Sequence, residues 1–66
     1  MRNYIKRMDF EEQELTRKLD KLTGYLQDVR HKNNVTEEQW LLLDEQRGYM
    51  THYQRVLRER IALEQA

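Results

Sequence analysis

The chain of 66 residues contains no cysteine and no proline, and reading along it finds no serine either. Without cysteine there are no disulfides, no thiolate metal ligands and no thiol nucleophile. Without serine the commonest hydroxyl nucleophile is missing, and no base accompanies any of the threonines. Net charge is also lacking, because twelve basic residues are balanced by twelve acidic ones. A protein that grips DNA or RNA through phosphates carries a basic excess to displace counterions, so nucleic acid is not the expected partner. Long apolar runs are missing as well. The longest is Trp40-Leu41-Leu42-Leu43, far short of a membrane span or of a signal peptide's apolar stretch. These features lead us to expect a soluble intracellular protein that binds no membrane, with no cofactor or metal and no catalytic role. His31 and His52 fall in separate segments, and no carboxylate or histidine cluster has metal-ligand spacing.

What the chain does have is helical periodicity. In sevens, Ile5, Met8, Leu15, Leu19, Leu22, Leu26 and Val29 fall at a and d positions, with Glu12 the one interruption. Such a stripe lies on one face of an α-helix and must be covered by another helix. The second half repeats the pattern with Leu43, Met50, Tyr53 and Leu57. The expected fold is all-α: an antiparallel two-helix hairpin, coiled-coil-like, in one domain over 1–66. Helix 1 is expected over about 3–32, with Asn3 as N-cap, the loop over about 33–36, and helix 2 over about 37–64. Asn33 and Asn34 tolerate the left-handed conformation and so suit the exit from helix 1. Thr36 and Gln39 match a capping box, and Val35 with Trp40 matches a hydrophobic staple.

Helix 2 carries more apolar surface than one seam uses. Leu42, Tyr49, Val56 and Leu63 form a row beside the a/d row, widened by Trp40 and Ile61. A lone hairpin would expose this arc, which signals association. A homo-oligomeric helical bundle, at least a dimer of hairpins, is therefore expected.

Polar residues on the stripe read two ways. Glu12 and Gln46 either fix register by hydrogen bonding, with Arg60 a partner for Glu12, or form the polar floor of a pocket between helices. Tyr53 is either a core residue needing a hydroxyl partner or a ligand contact. Gly24 and Gly48 are either tolerated weak spots of their helices or places where a helix or ligand approaches, with Tyr25 and Tyr49 as stacking rings. Arg55, Arg58 and Arg60 are either a solvated face at a helix C-terminus or a phosphate clamp.

Asn3-Tyr4-Ile5-Lys6-Arg7-Met8, Lys21-Leu22 with Tyr25-Leu26, and the closing Leu42-Leu43, Gln46, Met50, Tyr53, Val56-Leu57 and Arg60-Ile61 together carry a family resemblance. From Asn3 to Ile61 the chain resembles very short helical-hairpin proteins of crAss-like and other tailed bacteriophages, with sequestin-type sponges the nearest analogue. Trp40, Gly48 and Tyr49 depart from that pattern. The resemblance implies an accessory protein acting in the cytoplasm of the infected bacterium. It would sequester a nucleotide immune signal of Thoeris or CBASS type in pockets between subunits, without catalysis. Within that pattern Gln46 would read polar edges, Tyr53 and Tyr25 would stack or donate, and Arg60 and Arg7 would neutralise phosphate, with Glu12 a further candidate. The alternatives are a module that docks on a host or phage protein through Phe10, Trp40 and the outer tyrosines, or a structural hairpin of a phage particle.

Overall fold

A computed structural model describes residues 3–65. Helix α1 spans Asn3–Gln27, a short 3-10 helix follows over Val29–Asn34, and helix α2 spans Glu37–Gln65. The two long helices pack along each other as a hairpin with extents of 46 × 14 × 14 Å. None of the described helices is long and apolar enough to cross a membrane.

The inward row of α1 follows the heptad: Ile5, Met8, Leu15 and Leu19 are buried, and Leu22 and Leu26 are half-buried. The row ends sooner than the spacing suggests. α1 stops at Gln27 rather than near residue 32, so Val29 leaves the seam and is 74% exposed. Asp28 causes the early stop. Its backbone is extended, and its carboxylate accepts from the Arg30 backbone N–H at 3.0 Å and grips the Arg30 guanidinium in a fork. A local side-chain bond of this kind offers the backbone an alternative to continuing the α-helix. The exit uses no left-handed residue: among the described residues no non-glycine φ is positive, so Asn33 and Asn34 do not play the expected part. Asn3 is itself helical rather than a cap ahead of the helix.

The start of α2 matches expectation. Thr36 Oγ1 accepts from the Gln39 backbone N–H at 3.1 Å, satisfying one of the orphan donors of the first turn. Glu37 and Glu38 in that turn suit the positive end of the helix dipole. Against the corner, Tyr25 stacks on His31 with ring centroids 4.2 Å apart and 9° between planes, and Trp40 tilts onto Tyr25 at 6.1 Å. His31 Nδ1 lies 2.9 Å from the Tyr25 carbonyl oxygen, which accepts from it.

On α2 Leu43, Met50 and Leu57 turn inward as expected, but the seam positions between them are shifted by one residue. Trp40, Leu43, Arg47, Met50, Gln54, Leu57 and Ile61 are half-buried or buried, and Leu57 is the one fully buried side chain among the described residues. Gln46 and Tyr53, expected at seam positions, are exposed. The rotation puts Trp40 and Ile61 inside at opposite ends of the seam, where large apolar groups repay burial most. Its two polar members find partners: Arg47 binds Asp44 at 2.9 Å and Gln54 donates to Thr16 at 2.8 Å.

Candidate functional site

Because α2 is rotated, a second row lies beside the seam, about a quarter-turn from the inward face. Between its turns lies an open groove of about 520 Å³, walled by Leu42, Glu45, Gln46, Tyr49, Met50 and Tyr53. Every one of these residues belongs to α2. One helix supplies a floor and one rim, and α1 supplies no wall. The lining combines aliphatic side chains, two phenol rings, an amide and a carboxylate. The Tyr49 hydroxyl donates to Glu45 at 3.2 Å, one turn back. The Tyr53 hydroxyl reaches across to donate to Glu11 of α1. The Gln46 amide leans on the sulfur of Met50 at 3.9 Å, a weak contact that leaves its hydrogen-bonding capacity unspent.

Glu12 lies elsewhere, in a polar relay that crosses the seam near Leu57. Gln54 Nε2 donates to Thr16 Oγ1, Thr16 donates to Glu12 Oε1, and Arg58 Nε donates to the same oxygen, each at 2.8 Å. The expected partner was Arg60. The observed one is Arg58, because turning Leu57 fully inward swings the next residue beside Glu12 and sends Arg60 to the outer side. The Arg58 hydrogen bond, followed by that of Thr16, holds the Glu12 carboxyl below its ordinary value of 4.5. A small recess of about 240 Å³ beside this pair is lined by Asp9, Glu12, Arg58, Ile61, Ala62 and Gln65.

The six candidate residues do not converge within one copy. Gln46 and Tyr53 share the groove, and Arg60 lies on the same face, about 21 Å from Gln46 along the helix. Arg7 is exposed near the open end of α1. Tyr25 is at the opposite end of the hairpin, where His31 covers one face of its ring. Glu12 belongs to the relay. Sequence reasoning missed Glu11, Thr16, Gln54 and Arg58 as partners. The signal for Gln54 and Arg58 was there in the apolar ends of the observed seam, Trp40 and Ile61, which fix which polar residues turn inward with them. Glu11 carried no signal, since it is one of several acidic residues on the outer face of α1.

A model of a protein family described as Sequestin matches residues 2–63. No curated protein and no solved structure matches the chain.

Proposed function

The chain belongs to the Sequestin family, and from that premise we propose that it works by capture, holding a small nucleotide-derived immune signal away from its effector without transforming it. The groove of Leu42, Glu45, Gln46, Tyr49, Met50 and Tyr53 is the observation that carries this reading. Its volume lies in the range of small-molecule sites, and its make-up is of the expected kind, apolar walls with a few polar groups that fix orientation. Tyr49 and Tyr53 offer rings for a base, and Gln46 offers both a donor and an acceptor for a base edge. Arg60, farther along the same face, supplies a guanidinium suited to phosphate oxygens. The signal is of Thoeris or CBASS type, the pockets lie between subunits, and the place of action is the cytoplasm of a phage-infected bacterium.

Thermal unfolding against a panel of cyclic dinucleotides and ADP-ribose-derived nucleotides tests this reading. One class should raise the melting temperature by mass action, with a stabilisation of about 2.7 kcal/mol at a hundredfold excess over Kd. The ligand should be recovered chemically intact. Tyr53→Phe and Gln46→Ala should weaken the response while the helical content is kept. A flat response across the panel removes the proposal. Phe10 on α1 and Leu41 on α2, both more than 60% exposed, favour a second reading in which the protein docks on another protein. A protein target recovered by pull-down together with that flat response would support it.

A further inference from the structure

Most of the described arginines are already occupied. Arg17, Arg30, Arg47, Arg55 and Arg58 each pair with a carboxylate within 3.1 Å. Arg7 and Arg60 are exposed and have no carboxylate partner among the described residues. Each nevertheless stands four residues before a glutamate, Arg7 before Glu11 and Arg60 before Glu64, a spacing at which helical ion pairs form. Cation before anion is the weaker order for such a pair, and tyrosines across the seam hold both glutamates. Tyr4 Oη donates to Glu64 at 2.5 Å, and the Tyr53 hydroxyl donates to Glu11. Each carboxylate is thereby drawn toward the other helix and away from the arginine on its own.

The same two bonds bring the arginines together. On α1, Tyr4, Arg7 and Glu11 are three and four residues apart and share a face. On α2, Tyr53, Arg60 and Glu64 are seven and four residues apart and do likewise. Because Tyr4 bonds to Glu64 and Tyr53 to Glu11, the two rows run in opposite directions along one edge of the hairpin. Arg7 and Arg60 lie between the bonds, level to within about one helical turn. Met8 and Leu57, both buried, close the seam there. Two unpaired guanidiniums, one from each helix, thus flank an apolar floor. The opposite edge has nothing equivalent, since Arg58 is neutralised by Glu12 and Asp9 adds a negative charge beside them.

We propose that Arg7 and Arg60 form a clamp for a phosphoryl group. A guanidinium fork donates two parallel hydrogen bonds to a pair of oxygens. A carboxylate has oxygens for one fork, whereas a terminal phosphoryl group has three and accepts a fork from each side. Its double negative charge also cancels the repulsion between the two cations. Tyr4 and Tyr53 are positioning residues that keep Glu64 and Glu11 off the arginines. Tyr53 closes the end of the groove nearer Arg60, about 10 Å from it along the helix, so a ring stacked there leaves room for a sugar before the phosphate. Assigning the phosphate to the captured nucleotide rests on the function proposed above; the clamp rests on the edge of the hairpin alone.

Inorganic pyrophosphate, titrated into the full chain at constant ionic strength without nucleotide, tests the clamp. In proton–nitrogen NMR spectra the Nε–H signals of Arg7 and Arg60 should move together along one saturable curve, while those of Arg17 and Arg55 stay in place. Arg7→Gln and Arg60→Gln should each weaken binding at least about tenfold, and Arg55→Gln should leave it unchanged. Tyr4→Phe frees Glu64 beside Arg60 and should weaken binding; adding Glu64→Gln to it should restore binding, which a merely structural role for Tyr4 would not produce. Circular dichroism checks that each variant stays helical. Shifts spread over all the arginines without saturation would mean screening by an adventitious ion only and would overturn the proposal. So would wild-type binding by Arg7→Gln. Saturable pyrophosphate binding with a flat nucleotide response would keep the clamp and remove the capture reading. A nucleotide held equally by the wild type and Arg7→Gln would keep capture and remove the clamp.

Discussion

Glu12 breaks an otherwise apolar stripe, and its cost is met by two neighbours, one on each helix. Its side chain is 15% exposed and accepts from both Thr16 and Arg58, so the charged form is the one the fold favours. A carboxyl whose folded value is depressed contributes stability that is full above its ordinary value of 4.5 and is lost as pH falls through the lowered one. Melting temperatures of the wild type should therefore fall on acidification below about 4.5, and Glu12→Gln should show a shallower fall. Asp28, lowered by the Arg30 side chain and then its backbone N–H, adds a slope of the same sign that Glu12→Gln leaves in place. At neutral pH Glu12→Gln should cost about 1 kcal/mol, the modest figure reflecting an Arg58 that stays more than half exposed. In a double-mutant cycle Arg58→Ala should be non-additive with it. Glu12 belongs to a network that ties the two helices together at one axial position, and it also lines the small recess beside Arg58.

At the level of elements, the a/d reading of α1 was legible because nearly every stripe position is aliphatic. α2 was harder to read because two overlapping heptads run through it. One contains Leu43, Met50 and Leu57 with Gln46 and Tyr53; the other contains the same three with Arg47 and Gln54, flanked by Trp40 and Ile61. Spacing alone does not choose between them. What decides is apolar area at the two ends and the partners that Asp44 and Thr16 provide. The groove was legible in part: Leu42 and Tyr49 read as members of a bare outer row, whereas Gln46 and Tyr53 were placed on the seam with Met50. The end of α1 was misread because Asp28 counted as one more charge rather than as a local hydrogen-bonding competitor. Substitutions check these assignments. Leu57→Ala should destabilise by about 2–5 kcal/mol and leave so small a domain largely unfolded by circular dichroism. Thr36→Ala should cost about 1 kcal/mol through loss of the cap, read as a drop of about 4–8 °C in melting temperature. A Cβ placed on Gly24 or Gly48 meets no atom within 4 Å, so neither glycine admits a neighbour within the hairpin. Gly24→Ala and Gly48→Ala should each stabilise by up to about 1 kcal/mol.

For the whole molecule, the buried apolar side chains among the described residues are Ile5, Met8, Leu15, Leu19 and Leu57, four from α1 and one from α2. A core this small is marginal at this chain length. If copies associate through α2, the melting temperature should rise with protein concentration over the micromolar range, because only the folded state is drawn into the dimer. A melting temperature independent of concentration would mean that each hairpin stands by itself.

The division of α2 into two rows has a consequence for descent. Leu43, Met50 and Leu57 hold the hairpin shut, while Leu42, Gln46 and Tyr49 take no part in closing it. Mutations can accumulate in the second group without loosening the first, so a lineage can retune its outer surface and keep its scaffold.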